Sequence, residues 1–324
     1  MSFITVSIYD NTRWDRYIRN AHTFDFNHTW HYHSTFPGEP VLLVYEERDD
    51  YIAMPVVINS RTDGTKSISG FAGPLASRNF AVLDNGLQER FEIAFLQFLK
   101  EQQISESSIL LHPLIHATFK PLRTGRLQRH ADSLLIDLSL STVMQEANYG
   151  ENFGNNVSLL RRKGYTVRQA TSIHDVDTFA DIYYRNSMHL QSGSAHFDKA
   201  WFRQILRPSG FESALLLACR GTQLTAGVLL TFCNDMMQLH LAATHEQYLQ
   251  HAPLHLLLAE AGGLGKTAGM QYFHLGGMGR KPDVLFASKA VTSDTYPGFK
   301  TWHVPVQQIQ NSLKNYRPQL SIAV

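Results

Sequence analysis

The segment at residues 240–261, HLAATHEQYLQHAPLHLLLAEA, predicts a strand followed by a helix whose start lacks a capping side chain. Pro253 suits the first helical position, but Ala252 before it has no side-chain oxygen for the unpaired amides of the first turn. Those amides therefore need another acceptor. Water or the Gln250 side chain would serve, and so would a phosphate, because first-turn amides and the helix dipole together bind anions.

One histidine lies on the predicted strand directly before this helix start. Strand alternation places His240 and Ala242 on one face and Leu241 and Ala243 on the other. A neutral imidazole accepts a proton from a reacting group, and it also serves as a structural hydrogen-bonding group. With 16 histidines in the chain, the sequence leaves both roles open for His240.

The other histidine spacings do not predict a metal site. His251 and His255 are four residues apart, but Ala252 stands where the zinc-protease pattern HExxH has glutamate. His31 and His33 flank a tyrosine without a third ligand nearby in the sequence. No GxSxG nucleophile elbow occurs, so we expect neither a metal nor an acyl-enzyme.

The elements around these residues follow a pattern that occurs twice. Residues 38–59 and 210–233 each predict a strand, a turn and a second strand. In both places a third strand, an amphipathic helix and a short strand follow. This order predicts an α+β protein with two tandem units, a mixed sheet flanked by helices in each, which we place at residues 1–145 and 146–324.

Composition indicates a globular protein whose overall charge does not attract nucleic acid or an anionic membrane, and a local basic patch stays open. The 324 residues are 44% hydrophobic, and 29 basic against 28 acidic side chains give a net charge of +1. No apolar run reaches the roughly 18 residues that span a bilayer, and the N-terminus has no leader pattern. Cys219 and Cys233 lie in apolar strand-like segments, so we expect buried thiols and a cytoplasmic location.

Two N-terminal segments, HTWHYHSTF and GFAGPLA, and four C-terminal segments form an ordered set of motifs. The C-terminal motifs are LRRKGYTV (160–167), IYYRNSMHLQSG (182–193), QYLQHAPLHLLL (247–258) and YFHLGGMGRKPDVLFASK (272–289). The set resembles the GNAT acyltransferase superfamily, and within it the Fem-type branch of duplicated GNAT-like units. That branch includes peptidoglycan aminoacyl transferases and short acyltransferases of cell-surface sugar pathways.

The resemblance implies that the uncapped helix start binds the pyrophosphate of acyl-coenzyme A, a co-substrate. An amide near Ala242 or Ala243 would stabilise the oxyanion, and His240 would accept the proton of the attacking amine. Lys289, which matches a family lysine, would hold a phosphate or the developing negative charge. The implied donor-binding residues are Ala242, Ala243, Gln250, His251, Ala252, Leu254 and His255.

The first unit offers no second donor site, because Asp84 and Asn85 supply caps for its own long helix. We therefore expect one donor site per chain and an acceptor side near the junction of the units. Aromatic rings would stack on a sugar or base there, and arginines would bind phosphates. The candidate acceptor residues are Trp30, His31, Phe71, Asn156, Arg161 and Arg162.

Together these residues predict an N-acyltransferase of polysaccharide biosynthesis that moves an acyl group from acyl-CoA to a nucleotide-linked amino sugar. The first alternative is an aminoacyl-tRNA-dependent transferase of peptidoglycan synthesis. Against it, His274 and Ser288 depart from the Fem-type pattern, and no long heptad arm is present. The second alternative is a non-catalytic ligand-binding or assembly protein on the same scaffold. The oligomeric state stays open, a homodimer included.

Overall fold

A computed structural model describes residues 3–121, 125–130, 132–147, 152–188, 197–277 and 295–305. The described residues belong to two compact units. Unit 1 comprises Met1–His130 and Phe299–Val324, and unit 2 comprises Ala131–Gly298. Each unit is built around one mixed sheet.

The sheet of unit 1 has the strand order β1-β2-β3-β4-β6-β15-β7, and β5 pairs with β3. Neighbouring strands are antiparallel except β4 and β6, which run parallel. The elements are β1 (Ile4–Ser7), α1 (Asn11–Arg19), a 3₁₀ turn (Phe26–His28), α2 (Trp30–His33), β2 (Glu39–Glu47), β3 (Asp50–Ser60), β4 (Lys66–Gly70), β5 (Leu75–Ala76), α3 (Asn85–Glu101), β6 (Ile104–Leu111), β7 (Arg126–Arg129) and β15 (Lys300–Pro305).

Helix α3 covers one face of this sheet. Its Phe91, Phe95 and Leu99 are fully buried, and they belong to the same core cluster as Met54 and Trp302 of the sheet. Aromatic and leucine side chains of this size contribute about 2–3 kcal/mol each when they leave water, so α3 is held mainly by this contact. The opposite face packs against α1 in a second core cluster.

The sheet of unit 2 has the order β14-β8-β13-β12-β11-β10-β9, in which only β12 and β13 are parallel neighbours among the described pairs. Helix α8 packs on one face, and α6 approaches the other so closely that a Cβ on Gly227 would lie 2.5 Å from Phe179. The elements are β8 (Ser133–Asp137), α4 (Thr142–Ala147), α5 (Phe153–Arg162), β9 (Tyr165–Gln169), α6 (Ile173–Met188), α7 (Lys199–Ile205), β10 (Glu212–Arg220), β11 (Gln223–Cys233), β12 (Met236–Thr244), a 3₁₀ turn (Glu246–His251), α8 (Leu254–Thr267), β13 (Tyr272–Gly277) and β14 (Thr295–Tyr296).

The two units repeat one order of elements, as the sequence predicts. The series β2, β3, β4, α3, β6 in unit 1 corresponds to β10, β11, β12, α8, β13 in unit 2. In each series the last strand runs parallel to the strand before the helix. The prediction of an α+β fold with two tandem mixed-sheet units is confirmed.

The predicted boundary between the units needs correction. We expected units at 1–145 and 146–324, because the chain turns polar near residue 145. The structure places β8 in the sheet of unit 2, where it pairs with β13, and returns β15 to the sheet of unit 1, where it pairs with β6 and β7. Strand pairing between distant segments decides the boundary, and local composition does not report it.

Two further expectations concern the state of the two cysteines and the presence of a membrane-spanning helix. Cys219 and Cys233 are buried and form no disulfide, as predicted. No helix within the described ranges is both long and apolar enough to cross a bilayer.

Candidate active site

Strands β12 and β13 part from each other in the middle of the sheet of unit 2. Their parallel register joins Met236 to Tyr272, Met237 to Phe273 and Gln238 to His274, and it ends there. Strand β12 continues to Thr244, paired on its other side with β11. Among the described residues, the ladder between β12 and β13 has no further pairs beyond Gln238, and we call this stretch between the two strands the wedge.

A bulge marks the point where the wedge opens. In the register with β11, Leu239 lies opposite Leu230 and Leu241 lies opposite Leu229. His240, between them, is therefore the extra residue of a β-bulge. A bulge of this kind turns a side chain out of the regular alternation and increases the local twist.

The bulge overturns the predicted alternation along β12. We expected His240 and Ala242 on one face of the strand. Instead, Ala242 packs on the core cluster that contains Met237 and Leu239, whereas His240 lies beside Trp201. The extra residue at the bulge shifts the alternation by one position.

Two aromatic rings form a wall beside His240. Trp201 stacks on Phe197 with ring centroids 3.9 Å apart, and the centroids of Trp201 and His240 are 5.8 Å apart. Trp201 belongs to α7, whose first turn is fixed by the Asp198 carboxylate accepting from the Trp201 amide at 2.8 Å. Neither ring is among the residues predicted for the site, although Phe197 and Trp201 are four positions apart in FDKAWF.

The turn after β12 ends at a helix start without a side-chain cap, as the sequence predicts. Ala252 adopts the left-handed conformation (φ 51°, ψ 51°), and Pro253 is the N-cap, so the helix begins one residue later than predicted. The His255 amide donates to the Ala252 carbonyl at 3.1 Å. The amides of Leu254 and Leu256 have no acceptor among the described residues, so an anion with two acceptor oxygens would fit there.

The corresponding helix of unit 1 differs at this point. The Asp84 carboxylate accepts from the amides of Gly86 at 3.1 Å and Leu87 at 3.2 Å, so α3 carries its own cap. This confirms Asp84 as a cap, whereas Asn85 is the first helical residue. Of the two equivalent helix starts, only that of α8 offers amides to an external anion.

Side chains from three other elements hold the turn between β12 and α8. The Tyr165 hydroxyl of β9 is 2.5 Å from Nδ1 of His251. The Tyr248 hydroxyl donates to Oε1 of Gln223 at 2.7 Å. At the end of β12, the Asn186 amide of α6 donates to the Thr244 carbonyl at 3.0 Å. Gln250, which we also expected at the donor site, is exposed on the same turn.

Helix α5 carries three of the predicted acceptor residues, and two of them contact α8. Nδ2 of Asn156 is 3.2 Å from Nδ1 of His255, and the Arg161 guanidinium pairs with Glu260 at 2.8 Å. Arg162 is exposed at the end of the helix. Asn156 thus lies next to a predicted donor residue, and Arg161 is already engaged by a carboxylate.

The other predicted acceptor residues lie in unit 1. The Trp30 ring meets His31 edge-on at 5.7 Å, and Asp15 accepts a hydrogen bond from Trp30. Phe71 stacks on Phe36 with centroids 4.0 Å apart. Trp30 and Phe71 are partly exposed, whereas His31 is buried.

A cluster of buried polar side chains also lies in unit 1. Nδ1 of His28 donates to the Asp25 carboxylate at 2.7 Å. Burial raises the pKa of Asp25, but the charge and hydrogen bond of His28 outweigh it and hold this pKa below its ordinary value. Burial lowers the pKa of His33 and of His116 to about 3, so both imidazoles are neutral at physiological pH. No three metal-binding side chains in the described part of the chain are arranged to hold an ion.

Lys289, the second predicted catalytic residue, lies outside the described residues.

Comparisons with known proteins agree with this architecture. Residues 154–282 match the acetyltransferase (GNAT) domain family. The crystal structure of FemX superposes with a TM-score of 0.68 at 10% identity, covering 97% of this chain and 99% of FemX. The C-terminal domain of an Agrobacterium fabrum protein described as a lysylphosphatidylglycerol synthetase gives 0.60 at 11% identity, covering 95% and 96%.

A tandem GNAT protein from the clavulanic acid biosynthesis pathway gives a TM-score of 0.54 at 10% identity, covering 94% of this chain and 98% of that one. Compared with curated protein sequences, the chain matches none. Residues 154–282 therefore match the GNAT domain family, and the chain as a whole has the two-unit fold that FemX and the tandem GNAT protein share.

Proposed function

We propose that the protein is an acyl-CoA-dependent N-acyltransferase that acylates the amine of a nucleotide-linked amino sugar. One observation carries the proposal: the wedge between β12 and β13 leads along β12 into the uncapped start of α8. An open strand edge followed by unsatisfied helix amides suits a long ligand that has amides along its length and a pyrophosphate further on.

Acyl-CoA has these two parts in this order. Its pantetheine arm is an extended chain with two amide groups, which pair with the open edge of β12 in the manner of an added strand. The pyrophosphate then meets the amides of Leu254 and Leu256, and the dipole of α8 favours the negative charge. The thioester carbonyl lies near the bulge at His240, where the wedge opens.

The proposed reaction is direct transfer. The neutral amine attacks the thioester carbonyl, a backbone amide near Ala242 or Ala243 stabilises the oxyanion, and CoA leaves as the thiol. His240 accepts the proton that the amine loses as the new C–N bond forms, and this proton then passes to the departing CoA sulfur as the C–S bond breaks. Lys289 is assigned by family resemblance to a phosphate or to the developing charge.

The amino-sugar acceptor is assigned to unit 1 for two reasons. In the described part of unit 1, the helices α1, α2 and α3 all have side-chain caps, from Asp10, Thr29 and Asp84. Its partly exposed Trp30 and Phe71 offer flat rings of the kind that stack on sugars and bases. Within unit 2, Arg161 is engaged by Glu260, which leaves the exposed Arg162 as the better phosphate candidate of the predicted pair.

A second candidate is transfer of an aminoacyl group from tRNA. It is favoured by the superposition on FemX and on the domain described as part of a lysylphosphatidylglycerol synthetase. A net charge of +1 argues against it, because a tRNA partner calls for a strongly basic surface.

Three measurements on the purified chain distinguish these functions. Calorimetry with CoA should give one site per chain. Thiol release from acyl-CoA should depend on an added amino-sugar nucleotide. Transfer from charged tRNA without thiol chemistry would instead establish the second candidate, and binding of a sugar nucleotide without turnover of either donor would indicate a non-catalytic protein.

A further inference from the structure

Tyr165 and His251 form a contact between β9, the edge strand of the sheet of unit 2, and the turn before α8. The Tyr165 ring is buried at the edge of that sheet, and its hydroxyl oxygen is 2.5 Å from Nδ1 of His251. The two residues are 86 positions apart in the chain. His251 is the last residue of the 3₁₀ turn, directly before the left-handed Ala252.

This hydrogen bond can run in either direction, because a hydroxyl and an imidazole nitrogen can each donate or accept. Burial raises the pKa of Tyr165, with a smaller opposing effect from the nearby Arg220, so the hydroxyl has a proton to donate at physiological pH. We assign the hydroxyl as the donor and Nδ1 of His251 as the acceptor. In this assignment the ring hydrogen of His251 is on Nε2.

The imidazole is also held in orientation. The Tyr165 ring meets it edge-on at 6.0 Å, and the Tyr248 ring meets it edge-on at 5.8 Å from the same turn. Tyr248 is itself fixed by its hydrogen bond to Gln223. Ring rotation that would exchange Nδ1 and Nε2 is therefore opposed by two aromatic contacts and one hydrogen bond.

We propose that Tyr165 is a positioning residue that fixes His251 as an Nε2–H donor to the anionic phosphates of the acyl donor. The inference rests on the proposed donor site at the start of α8. His251 would then add a directed side-chain hydrogen bond to the two backbone amides of that helix start. Without the hydroxyl, neutral His251 divides between two tautomers, and only one of them can donate from Nε2.

The experiment compares two variants of unit 2 that each lose one tyrosine hydroxyl. Tyr165→Phe should raise the calorimetric Kd for CoA about fivefold, which equals about 1 kcal/mol, because the His251 ring loses its fixed tautomer and orientation and with them most of one hydrogen bond. The matched control is Tyr272→Phe, on an exposed ring of β13 opposite Met236 at the other end of β12, so its Kd should stay within about twofold of the wild type. The acceptor KM should be unchanged in both variants, because a role in donor binding affects only the donor.

A double-variant cycle and a spectroscopic measurement complete the test. In the His251→Ala background, Tyr165→Phe should have no further effect on the Kd for CoA, because the hydroxyl acts through His251. In ¹⁵N spectra, the His251 ring of the wild type should show the Nε2–H tautomer, and Tyr165→Phe should show a mixture.

The possible failures separate cleanly. If wild-type protein does not bind CoA, the proposed function is wrong, and so is the assignment of a donor-binding role to Tyr165. If CoA binds and Tyr165→Phe leaves the Kd unchanged, or if the two substitutions have additive effects, only the inference about Tyr165 is overturned. An Nδ1–H tautomer in wild type would overturn it as well, and this readout needs no ligand.

Discussion

Mild acid should destabilise unit 1, because two of its buried imidazoles cannot easily take up a proton. His116 accepts from the His112 amide through Nδ1 at 2.8 Å and donates to the Pro74 carbonyl through Nε2 at 2.9 Å. His33 donates through Nε2 to the Asn27 carbonyl at 2.9 Å. Protonation of His116 would place a hydrogen on Nδ1. This hydrogen would repel the His112 N–H, from which Nδ1 accepts in the neutral state, and the buried site offers no water as a substitute partner.

The sign and the size of the effect follow from the two lowered pKa values. The folded-state pKa of each group is about 3, and the unfolded-state pKa is about 6.5, so the unfolded chain binds these protons more tightly. The stability that neutral His33 and His116 contribute is therefore fully present above pH 6.5 and is lost as the pH falls toward 3. At pH 5 each group lowers the free energy of unfolding by about 2 kcal/mol relative to pH 8.

Urea unfolding at a series of pH values between 8 and 5 tests this reasoning. Below pH 6 the slope of the unfolding free energy should be about 1.4 kcal/mol per pH unit for each buried imidazole. His33→Gln keeps a donor for the Asn27 carbonyl but cannot titrate. The slope of this variant should therefore be about 1.4 kcal/mol per pH unit smaller than that of the wild type, and His116→Gln should show the same decrease. His22→Gln, at an exposed position, serves as the control. Equal slopes in wild type and both buried-site variants would refute the argument.

Three further predictions concern the proposed site. Ala252→Asp places a carboxylate beside the start of α8, so the calorimetric Kd for CoA should rise about tenfold while the fold survives. Unchanged affinity would mean that the CoA pyrophosphate does not bind at this helix start. His240→Asn should lower kcat about 100-fold with little change in CoA binding, whereas an effect on melting temperature alone would make His240 structural. Trp30→Ala should raise the KM of the acceptor more than that of the donor, and steady-state kinetics showing equal losses would mean that the roles of the units are assigned wrongly.

The repeated order of elements could be predicted because it depends on local patterns. Strand alternation, charged turns and amphipathic helices each extend over a few residues, and they gave the corresponding series in both units. The missing cap before α8 and the cap at Asp84 could also be predicted, since capping depends on residue types within one turn.

The details of the site could not be predicted, because they depend on partners far away in the chain. The bulge at His240 is visible only in the register with β11, and a rule of strict alternation placed Ala242 on the wrong face. The contact between Tyr165 and His251 spans 86 residues. Arg161 looked available for a phosphate because Glu260, its partner on α8, is 99 positions away.

The place of β15 in the sheet of unit 1 determines how the protein can fold during its synthesis. This strand lies between β6 and β7, and its Trp302 is completely buried in the core under α3. On the ribosome, unit 1 cannot complete this sheet until residues 300–305 have emerged, by which time all of unit 2 has been synthesised. The N-terminal segment of unit 1 must therefore wait with the edge of β6 unpaired, while unit 2 already has its full sequence and can fold first.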